Sequence, residues 1–143
     1  MVLDFIDRLK CLISDTRKKI AEIAADLCIT QQTLYNYLDG KTLPKYRELI
    51  LLADYFNCSI DYMVGREHEK ETKFKKCPPF SQSLKEVFKT HGTSESKIHK
   101  KVKISRSRFY AWLAGKSRPT LNNLIKLADY FGCTIDFLVG RES

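Results

Sequence analysis

Two short polar stretches contain side chains suited to recognising the edges of flat, hydrogen-bonding rings. Gln31, Gln32 and Asn36 supply three amides within six residues, and each amide offers a donor and an acceptor side by side. Such a pair matches adenine N6 and N7 in the major groove of duplex DNA. The equivalent stretch, 75 residues later, contains Arg106, Ser107 and Arg108. A guanidinium group matches guanine O6 and N7, or a phosphate. Both stretches therefore indicate base recognition, and an ordinary solvated helix face is the alternative.

The two stretches occupy equivalent positions of an internal repeat. The segment ADYFNCSIDYMVGRE at 53–67 recurs as ADYFGCTIDFLVGRE at 128–142, and an offset of 75 aligns 9–67 with 84–142 without a gap, with 23 of 59 positions identical. Each copy, at roughly 65 residues, is near the lower limit for a domain with its own core. We therefore predict two domains, 1–66 and 79–143, joined by a charged, proline-terminated linker at 67–78.

Apolar residues recur with helical spacing in each copy. In the first copy they fall at 20, 23, 24 and 27, at 34, 37 and 38, and at 49, 52, 53 and 56, which is the pattern of amphipathic helices. No run alternates with a period of two over a useful length, so we predict five short helices per copy and no sheet. Thr30 and Ser105 are placed as N-caps, with Gly40 and Gly115 as left-handed residues after the helix end.

The predicted third helix of each copy has a buried side and an exposed side. The buried set is Leu34, Tyr37 and Leu38 in the first copy and Phe109, Trp112 and Leu113 in the second. The outward set is Gln31, Gln32, Tyr35 and Asn36, with Thr33 at the edge, and then Arg106, Ser107, Arg108, Tyr110 and Ala111. The residues suited to base recognition are thus expected on the solvent side of both helices.

The segments KIAEIAADLCITQQTLYNYLDGK at 19–41 and SESKIHKKVKISRSRFYAWLAGK at 94–116 have helix-turn-helix spacing. They resemble the family of phage Cro and lambda-type repressors, in which a Ser/Thr cap leads into a recognition helix that ends in Gly-Lys. The resemblance covers nearly all of both copies and points to small repressors of phages and Gram-positive conjugative plasmids. It implies an all-α fold of two tandem five-helix, lambda-repressor-like helix-turn-helix domains that form an internal pseudo-dimer.

The resemblance also implies contacts to the DNA backbone. The family places a phosphate contact just after the helix-ending glycine, where this chain has Lys41 and Lys116. Further candidates for backbone or auxiliary contacts are Thr30, Thr33, Tyr35, Lys100, Lys103, Ser105, Tyr110 and Arg118. The two tyrosines suit thymine methyls or sugars, and partial core packing is the alternative for them. Any single lysine is equally consistent with a solvated side chain.

The positive charge is concentrated in the second copy. Of the net +8, residues 1–67 contribute −1, residues 68–78 contribute +2 and residues 79–143 contribute +7. A basic domain of this size commonly binds a polyanion, although a solvated basic face is also possible. Phosphate contacts supply affinity without reading sequence. We therefore predict that the second copy anchors the protein on DNA and that the first contributes mainly through its amides.

Several other classes of protein are disfavoured. The five cysteines show no C-x-x-C spacing and the three histidines are scattered, so we expect neither disulfides nor a metal site, and only Cys77 exposed. No paired carboxylates, Ser/His/Asp set or phosphate-binding glycine loop is present, so we expect no enzyme activity and no cofactor. No signal peptide or long uncharged apolar run is visible, so we expect a cytoplasmic protein with no membrane partner.

These features predict a sequence-specific double-stranded DNA-binding protein, resembling transcriptional repressors of mobile elements. The outward pairs 31/106, 32/107, 33/108 and 36/111 all differ, whereas core and turn positions match. We therefore predict an asymmetric operator with two half-sites, bound by a monomer that uses both copies. One alternative is an architectural or processing factor of the excisionase or transfer-origin type. Another is a protein-interaction module such as an antitoxin or antirepressor.

Overall fold

Helices form nearly all the regular structure of this protein. The computed structural model describes residues 2–66 and 74–142, and within these ranges it contains ten α-helices and no strand. The chain divides into two units, residues 1–72 and 73–143, with five helices in each. The predicted all-α fold with two tandem units is confirmed. Most of the predicted linker, 67–73, lies outside the described residues, and the domain boundaries stay a prediction.

The first unit is a bundle of five helices in which the third packs against the first two. Its helices are α1 (Val2–Thr16), α2 (Ile20–Leu27), α3 (Gln31–Leu38), α4 (Tyr46–Phe56) and α5 (Ile60–Met63). Helix α1 packs against α3 and α5, and α2 packs against α3 and α4. Leu9, Ile23 and Leu34 are fully buried where these helices meet. Because apolar residues line only one side of α3, its other side remains available to solvent.

The second unit repeats this arrangement with a more aromatic core. Its helices are α6 (Phe80–His91), α7 (Glu95–Val102), α8 (Arg106–Leu113), α9 (Leu121–Phe131) and α10 (Ile135–Val139). Helix α6 packs against α8 and α10, and α7 packs against α8 and α9. The ring centroids of Phe109 and Trp112 are 5.3 Å apart, and Phe80 lies edge-on to Trp112 at 6.1 Å. The aromatic pair of α8 replaces Leu34 and Tyr37 of α3, and it fixes α8 from its buried side.

The ends of α3 and α8 are set by the predicted residues. The Thr30 and Ser105 hydroxyls accept hydrogen bonds from the backbone N–H groups three residues on. Gly40 and Gly115 follow the helix ends with φ of 74° and 75°, which L residues with a side chain rarely adopt. These caps are confirmed, and they define the eight residues that each helix presents to solvent.

In each unit an ion pair joins an aspartate of the last helix to an arginine just after that helix. Asp61 pairs with Arg66, and Asp136 pairs with Arg141, whose side chain is 1% exposed. The Arg141 guanidinium carbon lies 4.0 Å from the centre of the Phe74 ring. The Lys75 backbone N–H also donates to the Arg141 carbonyl oxygen at 2.9 Å. Residues 74 and 75, within the predicted linker, therefore lie against the second unit.

The cysteines are not arranged as predicted. Cys11 and Cys28 are exposed, Cys58 is buried, and Cys77 and Cys133 are half-buried. The prediction that only Cys77 is exposed is wrong. Cys77 is half-buried because residues 74–78 pack on the second unit instead of extending into solvent. Across residues 2–66 and 74–142, no group of three or more potential metal ligands is present. No helix in those ranges is long and apolar enough to cross a membrane.

Candidate nucleic-acid interface

The solvent side of α3 displays the amides singled out in the sequence. Gln31, Gln32 and Tyr35 are exposed, and Thr33 and Asn36 are half-buried at the edge of the same face. The Tyr35 side chain is 44% exposed. The prediction of burial holds for Leu34 and Tyr37, whereas Leu38 is only half-buried because it follows the last full turn against the core. The structure thus brings the three amides onto one surface.

One pair of these amides is already hydrogen-bonded. Gln32 Nε2 donates to Asn36 Oδ1 at 3.0 Å, the contact expected one helical turn apart. In the part of the chain that the structure describes, the Gln31 side chain forms no hydrogen bond. Gln31 therefore presents a full amide edge to solvent, and Gln32 presents its oxygen and its second N–H.

The solvent side of α8 carries different side chains on a helix of the same length. Arg106, Ser107, Arg108 and Tyr110 are exposed, as predicted. Leu113, predicted to be buried, and Ala111, predicted to face outward, are both half-buried. Arg106 Nη2 donates to the Tyr110 hydroxyl at 2.7 Å, and the Arg106 guanidinium carbon lies 5.7 Å from the Tyr110 ring centre. Arg108 forms no side-chain hydrogen bond or ion pair with any described residue. The exposed side of α8 therefore presents two guanidinium groups. That of Arg106 is hydrogen-bonded to Tyr110, and that of Arg108 has no partner among the described residues.

Hydroxyl groups cluster at the start of each exposed helix. Thr30 Oγ1 lies 2.8 Å from Thr33 Oγ1, and Ser105 Oγ lies 3.2 Å from Ser107 Oγ. Thr30 and Ser105 are exposed. A helix N-terminus also presents backbone N–H groups and a partial positive charge, which favour an anion. Hydroxyls and a helix N-terminus together suit a phosphate oxygen beside the residues predicted to read bases.

The turn before each exposed helix has an uncommon backbone conformation. Cys28 and Lys103, at equivalent repeat positions, adopt left-handed φ values of 58° and 57°. Their conformation ends α2 and α7 and directs the chain into α3 and α8. Two helices joined by such a short turn, with the second helix exposed, form a helix-turn-helix.

A protein-family model described as helix-turn-helix matches residues 17–63 and 84–138, more than half of the chain. The chain belongs to the helix-turn-helix family. The family comprises DNA-binding transcription regulators of the Cro/C1 type, so this chain is a DNA-binding protein of the regulator type and contains the motif twice. Comparison with curated proteins and with solved structures gives no match.

In the two helix-turn-helix motifs, α3 and α8 are the second helices, which is the position predicted for the recognition helix. The predicted backbone-contact residues are all exposed except the half-buried Thr33; the basic ones are Lys41, Lys100, Lys103, Lys116 and Arg118. Lys41 and Lys116 directly follow the helix-ending glycines, and their backbone N–H groups donate to the Asn36 and Ala111 carbonyl oxygens, both at 2.9 Å. This turn holds Lys41 close to the end of α3 and Lys116 close to the end of α8.

The two helix-turn-helix units differ sharply in charge. Residues 17–45 have a net charge of +2 and the equivalent residues 92–120 a net charge of +7. Exposed positions at the end of α2 hold Ala25, Asp26 and Cys28, whereas the same positions of α7 hold Lys100, Lys101 and Lys103. The electrostatic attraction for a polyanion is therefore much stronger around α8 than around α3.

The sequence reading missed a polar network on the first unit. Asp26 Oδ2 accepts from the Tyr55 hydroxyl at 2.6 Å and lies 3.1 Å from Lys18 Nζ. The hydrogen bond from Tyr55, and then that from Lys18, lower the pKa of Asp26, and the bond to Asp26 is the main reason that the pKa of Tyr55 is raised. These residues are 8 to 37 positions apart in the sequence, so no short motif could reveal them. Lys18, one of the few lysines of this unit, is thus paired with Asp26 within the protein.

Proposed function

We propose that this protein is a sequence-specific transcriptional repressor that binds an asymmetric DNA site with both helix-turn-helix units. The observation that supports this most directly is the pair of exposed recognition helices with different side chains at equivalent positions. Gln31 and Gln32 of α3 correspond to Arg106 and Ser107 of α8. Because amides match adenine and guanidinium groups match guanine, the two units prefer different half-sites.

The units divide affinity and specificity between them. In the second unit, the basic residues of α7 and the turn after α8 attract phosphates, and neutralised phosphates release counterions from the duplex. In the first unit, three amides and little net charge favour base reading over electrostatic attraction. The second unit therefore provides most of the binding energy, and the first provides much of the discrimination.

One chain suffices for this mode of binding. A dimer of identical chains reads a palindrome, whereas two fused and unlike units are released from that requirement. We place both units on one face of the duplex, about one helical turn or ~34 Å apart. The protein thus acts as an internal pseudo-dimer.

The regulatory role follows from the resemblance to small repressors of phages and conjugative elements. A protein of this size that binds a promoter tightly excludes RNA polymerase without a further domain. An accessory factor for excision or transfer would bind the same way, but away from a promoter. The position of the selected site relative to a promoter therefore separates these two roles.

The test begins with selection of binders from a random duplex pool. We expect two unlike half-sites, protected together by one chain per duplex, with stoichiometry measured by light scattering of the complex. The double variant Gln31→Ala/Gln32→Ala should lose protection of one half-site. The double variant Arg106→Ala/Arg108→Ala should lose protection of the other. A palindromic site bound by two chains would overturn the asymmetric mode, and equal binding to all duplexes would overturn the function.

A further inference from the structure

Arg106 and Tyr110 form a preorganised pair on the exposed face of α8. The Tyr110 hydroxyl accepts a hydrogen bond from Arg106 Nη2 at 2.7 Å, and the guanidinium lies beside the ring at 5.7 Å. Tyr110 itself is 47% exposed, so its ring is not needed to fill the core. Trp112 is buried and fills the core, whereas Tyr110 is exposed and its hydroxyl binds a neighbouring arginine. The two aromatic residues therefore have different roles.

We propose that Tyr110 is a positioning residue that makes the second unit a guanine reader rather than only an electrostatic anchor. This inference rests on the proposed function. A free arginine samples many rotamers and loses that freedom on binding a base. The hydroxyl bond uses one N–H of Arg106 and leaves the remaining N–H groups of the guanidinium fork for guanine O6 and N7. Tyr110 therefore reduces the ordering cost of the base contact.

The repeat provides an internal comparison. Tyr35 occupies the same position of α3 and is 44% exposed, but Gln31 stands where Arg106 stands in α8. Among the described residues, Tyr35 and Gln31 share no hydrogen bond. Tyrosine is thus present at both positions, and only in the second unit does it hold a base-reading side chain.

Charge supports a specific role for Arg106. Residues 97–118 contain seven basic residues besides Arg106 that can contact phosphate. A phosphate-binding arginine gains less from a fixed orientation, because phosphates line the groove on both sides and can be met from several directions. A base edge, in contrast, must be met in one plane and direction. The pairing with Tyr110 therefore points to a base contact for Arg106.

The decisive variant is Tyr110→Phe, which keeps the ring and removes the hydroxyl. On the duplex recovered by selection from a random pool, and on versions with each G·C pair of the second unit's half-site changed to A·T, we expect preference for one guanine to fall about 3- to 10-fold. The salt dependence of binding and the melting temperature should not change, because neither the charge nor the core is altered. Tyr35→Phe is the matched control and should leave preference at that base pair unchanged.

A double-mutant cycle separates positioning from direct contact. In an Arg106→Ala background, Tyr110→Phe should have no further effect on guanine preference. Three outcomes would overturn the inference and leave the proposed function standing. The Tyr110→Phe variant could keep the guanine preference of the original chain, or lose affinity equally at every base pair. Its loss of guanine preference could also add to that of Arg106→Ala. An original chain that binds all duplexes equally would overturn both.

Discussion

Gln32 and Asn36 are joined by a side-chain hydrogen bond across one turn of α3, with Nε2 and Oδ1 3.0 Å apart. The bond orients the Gln32 amide and leaves its oxygen and one N–H directed away from the helix. Asn36 is half-buried and Gln32 is exposed, so Asn36 restrains the orientation of the Gln32 amide. Side chains that are held before binding lose less conformational entropy when they meet a base.

Replacing Gln32 with Ala should remove one adenine contact. We expect a loss of about 1–3 kcal/mol on the selected duplex and relaxed preference at one base pair. Replacing Asn36 with Ala should reduce preference at the same base pair by about 0.5–1.5 kcal/mol, because Gln32 loses its partner. Competition binding against duplexes with single base-pair changes measures both effects.

Ser107→Ala is the matched control for Gln32, since Ser107 occupies the same position of α8. It should leave preference in the first half-site unchanged. Equal losses for the Gln32 variant on selected and random duplexes would contradict a base-reading role and indicate a general contact instead.

Lys116→Ala should weaken binding to all sequences by about the same factor. The lysine lies in the turn that follows α8 and is exposed, which suits a phosphate contact. Removing one such contact should reduce the slope of log affinity against log salt concentration by about 0.9. Lys126→Ala, an exposed lysine on α9 with the same charge, is the control. A Lys116 variant that changes base preference while keeping the salt slope would be inconsistent with a phosphate contact.

Much of this architecture could be predicted because it depends on local rules. The apolar spacing within each copy predicts the helices, and the residues at positions 30, 40, 105 and 115 fix where α3 and α8 begin and end. The outward side of α3 follows from the burial of Leu34 and Tyr37. The Gln32–Asn36 and Arg106–Tyr110 pairs have the four-residue spacing of helix neighbours, so their partnership was also within reach of the sequence.

Other features depend on distant parts of the chain. Phe74 belongs to a charged stretch that composition assigns to a linker, but its ring covers the guanidinium of Arg141, 67 positions later in the sequence. The sequence does not show that Arg141 is buried, because arginine is usually exposed. The Lys18–Asp26–Tyr55 network likewise needs α2 and α4 to be packed together before its members meet.

Lys103→Gly should stabilise the protein and weaken DNA binding at the same time. A residue with a side chain in the left-handed region is strained, and glycine relieves that strain. We expect a gain of about 0.5–1 kcal/mol in the free energy of unfolding, measured by chemical denaturation. The lost charge should reduce affinity and salt slope, as for any phosphate contact.

Cys28→Gly is the matched variant in the first unit, since Cys28 has nearly the same φ. It should give a similar gain in stability without a change in salt slope, because no charge is lost. Destabilisation by both glycine variants would show that the turn is not strained, and an unchanged salt slope for Lys103→Gly would remove that lysine from the interface.

Arg141→Ala should strongly destabilise the second unit. Its partner Asp136 is buried with it, and an unpaired buried carboxylate costs about 3–5 kcal/mol. Arg66→Ala in the first unit should cost less, because the Arg66 side chain is 19% exposed and water can reach the site. Chemical denaturation of the 143-residue chain compares the two variants. An equal loss in the free energy of unfolding for both variants would contradict the view that the burial of the ion pair determines the destabilisation.

Asp26→Asn should lower the pKa of Tyr55. The Tyr55 hydroxyl donates to the Asp26 carboxylate at 2.6 Å, and this bond, which favours the neutral phenol, is the main cause of the raised pKa of Tyr55. An asparagine oxygen is a weaker acceptor because it has no charge. The change is measured from the tyrosine ring carbon that bears the hydroxyl, by NMR as the pH rises.

Lys18→Met should shift the pKa of Tyr55 in the opposite direction, because the hydrogen bond from Lys18 lowers it. The pKa of Asp26, lowered in the folded protein, gives stability that is present above about pH 4 and lost as the pH falls below that value. The raised pKa of Tyr55 gives stability that is present below about pH 10 and lost as the pH rises beyond it. A Tyr55 titration that is unaffected by Asp26→Asn would show that the two side chains do not stay paired in solution.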